Sequence, residues 1–256
     1  MSGTLMFLLS IDFGLQAVGC IFSILLKTEK LFDLCGAITN FLLVYISLQE
    51  NEEPSLRQNI LSFMAMLWAL RLGLFLFFRV LKSEDRRFKH AKQNPKRMAV
   101  FWTIQGIWCF VTLLPTILLN LKENDELRPI TGSDIAGFVM FIFGFVFESL
   151  ADYQKTVFRN DPRNKNKFIN VGLWSVIRHP NYLGEIVIWC GAYVCASTSF
   201  RGLEGISVLS PILVAILLTK VSGIPLLEKQ GWKKWGTNSD YIAYMKNTKR
   251  LVPRLW

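Results

Sequence analysis

The sequence predicts an all-α, polytopic membrane protein. Hydrophobic residues make up 52% of the 256-residue chain, mean hydropathy is +0.33, and only 19% of residues are charged. Apolar runs of about twenty residues, the length that crosses a hydrocarbon core, recur along the whole chain. Seven such runs are legible, at 5–26, 31–48, 59–81, 98–121, 135–150, 182–200 and 205–227.

The first run has no basic segment before it and is long enough to span, so it reads as a retained helix rather than a cleaved signal. The second carries Asp33, Gly36, Thr39 and Asn40 at helical spacing. Such a polar stripe faces other helices and not lipid. The acidic link 49–54 ends in Pro54, which breaks the chain before the third run. Arg71 lies near the middle of that run, where an unpaired cation is expensive. It calls for a carboxylate such as Asp33 or for an anionic ligand. The fourth run holds Gln105 and a kinking Pro115. Ser133 or Asp134 is placed to cap the fifth helix.

The fifth run turns polar without a break. Glu148, Asp152, Lys155 and Arg159 follow at spacings that line one helix face. Pro180 suits the first turn of the sixth helix, where its missing donor costs nothing. That places Asn181 and Glu185 on one face with Tyr182 beside them. The seventh run is interrupted at Ser222-Gly223-Ile224-Pro225. A basic, tryptophan-rich tail closes the chain, with Trp232 and Trp235 at headgroup level and Asn238 or Ser239 as cap of a short helix.

Charge orients the helices. With seven spans, 22 Lys and Arg fall on the side of the C-terminus and 4 on the opposite side. The positive-inside rule puts the C-terminus on the cytosolic or matrix-like side and the N-terminus across the membrane. Net charge is +10. The basic stretches are short and belong to loops between spans, so they point to anionic membrane lipid and away from nucleic acid. The five cysteines lie in or beside apolar runs, and no CxxC or Cys/His spacing calls for a metal.

The chemistry concentrates in Arg178-His179-Pro180-Asn181-Tyr182-Leu183-Gly184-Glu185, immediately before an apolar run. A guanidinium, an imidazole, an amide, a phenol and a carboxylate at a membrane boundary are costly without partners or a ligand. Arg178, Arg159, Lys155 and His179 converge on one face and suit phosphate charges. No glycine-rich phosphate loop is present, so a phosphate-bearing cofactor would be held by side chains from several helices.

At these eight residues the sequence resembles the steroid 5α-reductase superfamily, most nearly its short branch of multispan proteins of largely uncharacterised function. The likeness extends through Lys30-Leu31-Phe32-Asp33, Trp68-Ala69-Leu70-Arg71-Leu72-Gly73 with Arg79, Ala151-Asp152-Tyr153-Gln154, Gly172-Leu173-Trp174, Ser222-Gly223-Ile224-Pro225 with Glu228, and Tyr241 with Tyr244. The resemblance implies one membrane-embedded domain over 1–256, with the cofactor half at 133–256. It implies an oxidoreductase that takes NADPH on the cytosolic face and reduces a carbonyl-conjugated double bond of a hydrophobic, lipid or steroid-like substrate. Cofactor contacts are then expected at Glu148, Asp152, Lys155, Arg159, Arg178, His179, Asn181 and Tyr182. Glu185, Tyr241 and Tyr244 are the candidates for catalysis, with a phenol or carboxyl donating to the developing enolate.

The family's substrate-binding Gln-Glu pair has a look-alike at Gln49-Glu50, but in a loop on the wrong side, and its role is not carried over. Two alternatives stand beside the reductase. One is a catalytically silent subunit of a larger membrane assembly, for example a respiratory one. The other is an isoprenylcysteine-type methyltransferase, which shares Arg-His-Pro-x-Tyr and a downstream Glu and Tyr pair and binds S-adenosylmethionine. The endoplasmic reticulum is the family-like home, with the mitochondrial inner membrane as an alternative.

Overall fold

The structure, a computed structural model, describes residues 2–82 and 84–252. Its elements are helical: α1 (Ser2–Leu25), α2 (Phe32–Gln49), α3 (Leu56–Lys82), α4 (Pro95–Asn120), α5 (Gly132–Asn160), the single turn α6 (Leu173–Val176), α7 (Pro180–Ser197), α8 (Leu209–Ile216), α9 (Ile224–Trp235) and α10 (Ser239–Asn247). Among the described residues six helices are long and apolar enough to cross a membrane: α1 to α5, and the segmented run Gly202–Trp235. The sixth apolar run of the sequence forms α7, an 18-residue helix outside that set of six. The described fold is therefore that of a polytopic integral membrane protein. The chain divides into two compact units, Met1–Ile135 with Ala192–Ser210, and Ala136–Gly191 with Pro211–Trp256.

In the first unit small residues let α1 to α4 approach closely. Gly19 lies against the Trp102 ring and Gly73 against Ala37. Phe88, Ala91, Met98 and Trp102 form a buried cluster, flanked by Cys20, Ile24, Phe32, Cys35 and Phe101. Asp33 draws Arg79 and Arg87, each at 3.8 Å, while Arg71 stacks over the Phe75 ring at 5.5 Å. The end of α4 is sealed by side chains. Gln58 Nε2 donates to the carbonyls of Leu119 and Lys122, at 2.9 Å each, and so answers acceptors that a helix end leaves open.

The capping expectation for α5 is corrected here. The helix begins at Gly132, so Asp134 sits within its first turn. From there its carboxylate accepts from the Thr131 backbone N–H at 2.7 Å and hydroxyl at 2.8 Å. It also takes Arg57 in a two-pronged ion pair, Nε to Oδ1 at 2.7 Å and the terminal nitrogen to Oδ2 at 3.0 Å. Arg57 further donates to Ser199 and to the Pro129 carbonyl. Both partners are completely or almost completely buried. Removing one leaves the other charge uncompensated, at a cost of about 3–5 kcal/mol.

In the second unit α5 and α7 meet backbone to backbone. A Cβ on Gly144 would lie 2.6 Å from the Gly184 carbonyl, and one on Gly184 only 2.7 Å from the Glu148 N. Gly191 repeats the contact a heptad later against Gly137. Such small-residue seams drive helix association where lipid offers no hydrophobic gain. The seventh run breaks as its sequence demands: α8 passes into a π-helical turn, Leu217–Val221, and α9 starts with Pro225 in its first turn.

Two stability outcomes follow. Gly184→Leu must push apart two backbones, and thermal scans in detergent should show a loss of about 1–3 kcal/mol or more. Arg57→Ala should destabilise more than the double change Arg57→Met with Asp134→Leu, because only the single change strands a charge. The same scans read this ordering, and the reverse order would refute it.

Candidate functional site

The Arg178-His179 motif is anchored from two directions. Upstream, Gly172 adopts φ +59°, and a side chain there would strike Gln154. This turn sets α6, whose Trp174 donates its indole N–H to the Ala151 carbonyl at 3.0 Å. Downstream, the tail returns alongside and makes a single parallel β-bridge, Ile177 with Lys249. The N–H groups of Arg178 and His179 donate to the carbonyls of Lys249 and Arg250 at 2.8 and 3.1 Å. Pro180 then opens α7.

These anchors bring one acid between two guanidinium groups and an imidazole. Glu228 on α9 lies 3.0 Å from the Arg178 guanidinium, 3.3 Å from His179 Nε2 and 3.2 Å from Arg250. Arg178 also donates to the Met245 carbonyl at 2.6 Å. Two polar atoms at this centre are buried without a hydrogen-bond partner: Arg178 Nε, a donor, and His179 Nδ1. Burial, chiefly, holds the His179 pKa below its ordinary value; nearby Lys155 and Arg178 act the same way, and Glu228 opposes them. The imidazole is therefore neutral near pH 7. With Nε2–H directed at Glu228, Nδ1 is left as an acceptor.

The expected site residues lie on α5, around the start of α7 and on α10. Glu148, Asp152 and Glu185 are buried. Asn181 donates to Asp152 Oδ1 at 3.2 Å, joining α7 to α5. Tyr182 stacks on His179 with ring centroids 5.7 Å apart. Lys155 lies over the Trp174 ring at 4.4 Å, and Arg159 is on the exposed flank of α5. Tyr244 donates its hydroxyl to the Trp174 carbonyl at 2.6 Å, and burial pushes its pKa up. Tyr241 is buried among Phe168, Trp232 and Trp235, with its phenol against Gly231. Among the described residues no group of three His, Cys, Asp or Glu could hold a metal ion.

Sequence reasoning gave no role to Glu228 and did not name Arg250. Glu228 had a signal, as the single acid between the Ile224-Pro225 helix start and Gly236 in a basic tail. Arg250 had none, because its place depends on the return of the tail.

A family model matches residues 20–248. The chain belongs to the DUF1295 family, described as proteins of unknown function. It is similar to the "probable O-methyltransferase ustE" of Ustilaginoidea virens, 39% identical over 61 residues, which is 24% of this chain and 21% of that protein. It is also 26% identical over 231 residues to an uncharacterized protein of Schizosaccharomyces pombe, covering 78% of this chain and 64% of that one. This DUF1295 chain thus spans less than two thirds of the length of both relatives. No solved structure matches it.

The neutral histidine makes the site pH-sensitive. As pH falls below about 6.5, the unfolded chain takes up a proton that folded His179 resists. Stability present at pH 7 is therefore lost on acidification, by at most about 1.4 kcal/mol per pH unit for one group. Melting curves between pH 7.5 and 5.5 should fall, and His179→Gln should flatten that fall. An unchanged slope in the variant would refute the assignment.

Proposed function

We propose that this protein is a membrane-embedded methyltransferase that binds S-adenosylmethionine at the Arg178–Glu228 centre and methylates an oxygen on an apolar, membrane-borne acceptor. The observation that carries the reading is the pair of buried polar atoms left open at this centre, Arg178 Nε and His179 Nδ1. The open Arg178 Nε and His179 Nδ1 fit a group that offers an acceptor and a donor side by side, as a carboxylate with its α-ammonium does. The similarity to a probable O-methyltransferase supports the same class.

The cofactor supplies an electrophilic methyl on a sulfonium. The acceptor oxygen forms the new C–O bond as the C–S bond breaks, and the oxygen's proton must leave. In this reading Glu185, buried near the start of an apolar helix, takes that proton. Tyr244 holds α10 against α6 through its hydrogen bond to the Trp174 carbonyl.

A second reading, the NADPH-dependent reductase, is favoured by one contact. Asn181 and Asp152 face each other across α5 and α7 as the reductase resemblance leads one to expect. Calorimetry on protein in nanodiscs separates the two. S-adenosylhomocysteine should bind, NADPH should not, and Glu228→Gln should weaken binding by roughly tenfold or more, about 1.4 kcal/mol. NADPH binding with no response to S-adenosylhomocysteine would establish the reductase instead. Binding of neither would leave a silent membrane subunit.

A further inference from the structure

In the first unit a set of polar side chains is buried where the apolar runs call for the opposite. Asp12 and Gln16 on α1, with Thr39 and Asn40 on α2, are 0, 2, 0 and 2% exposed. Asp12 sits close to the middle of its 24-residue helix, so these groups lie at mid-membrane depth. Gln16 ties Asp12 to Thr39, its Nε2 donating to Asp12 Oδ1 and to Thr39 Oγ1 at 3.1 Å each. Its aliphatic stem rests on α4, where a Cβ on Gly106 would stand 3.2 Å from Gln16 Cγ.

The remaining oxygens are unanswered. Asp12 Oδ2, Gln16 Oε1 and Asn40 Oδ1 are buried without a hydrogen-bond donor. Among the described residues Asp12 has no ion-pair partner. What these atoms share is a lone pair, and a carboxylate in low dielectric demands a compensating charge. An organic donor would need room for its carbon frame. A Cβ on Gly106 would meet Phe13 and Gln16 at 3.1 and 3.2 Å, and one on Gly19 would meet the Trp102 ring, so helices this closely packed favour a bare ion over a lipid headgroup. A single carboxylate balances a single charge, which selects against Ca²⁺ and Mg²⁺, whose sites gather more acids or keep their waters.

We propose that Asp12, Gln16, Thr39 and Asn40 form an intramembrane site for a monovalent metal cation, with the Asp12 carboxylate as its charged ligand and amide and hydroxyl oxygens completing the shell. Occupancy pins α1 to α2, since the ligands come from both helices. The site is separate from the Arg178–Glu228 centre and does not depend on the cofactor that centre takes.

Binding to the folded state alone raises stability by mass action, so the melting temperature should climb with the logarithm of ion concentration. Full-length protein in nanodiscs is melted in NaCl, KCl and choline chloride at equal ionic strength and fixed pH, so that screening is held constant. The expected result is a higher melting temperature in NaCl or KCl than in choline chloride, lost in Asp12→Asn and reduced in Asn40→Ala. Asn40→Ala keeps the carboxylate and serves if Asp12→Asn does not fold. Equal melting in the three salts would overturn the proposal, as would a sodium or potassium effect that survives both substitutions. A melting temperature that follows pH alone would also overturn it and would assign the carboxyl to a proton.

Discussion

A carboxylate removed from water must be answered, and in the second unit Glu228 is answered by two guanidinium groups, Arg178 and Arg250, and by the imidazole N–H of His179. Its position organises everything around it. Arg178 and His179 are fixed because Glu228 holds their side chains and the tail holds their backbone. Arg250 is brought in by the same backbone pairing. The acid also sets the histidine tautomer, since the nitrogen facing a carboxylate carries the proton. What remains open after these demands are met is one donor and one acceptor at the centre. Those two atoms, more than the conspicuous charges, carry the proposed reading of this centre.

The same electrostatic rule divides the polar groups of the first unit into two kinds. Arg57 with Asp134 and Lys122 with Glu204 are buried pairs in which each charge meets its opposite. Such pairs register loops and helix ends against one another and add little net stability of their own. Asp12 is of the other kind, with an amide for company and no counter-charge among the described side chains. A membrane chain that can place an arginine against Asp134 has the means to place one against Asp12. Its absence distinguishes a group kept for a ligand from one kept for architecture.

Most of the fold was legible because hydrophobic run length is a one-dimensional quantity. The starts of α7 and α10, the break after Lys220 and the continuous polar face of α5 follow from Pro180, Asn238, Gly223 and the spacing of Glu148 to Arg159. The start of α5 was misplaced because Asp134 has the chemistry of a cap but is drawn inward by Arg57, 77 residues away in sequence. The site was legible in its local half only. Asn181 and Glu185 were readable as sharing a helix face, yet the Asn181–Asp152 contact and the grip on Arg178 and Lys155 were not, because Asp152, Glu228 and Trp174 reach them through tertiary contacts. Asp12 and Gln16 went unmarked since two polar residues in a long apolar run barely change its average, while their burial depends on which face α2 and α4 cover.

The glycine seam between α5 and α7 bears on how such a site is varied. With Gly144 and Gly184 in backbone contact, the offset between the two helices is set by main-chain atoms and works as a ruler. Glu148 and Asp152 on one helix, and Asn181 and Glu185 on the other, are marks on that ruler and do not set its length. Polar residues can then be exchanged along either edge, to suit another cofactor or acceptor, while the spacing between the edges stays constant.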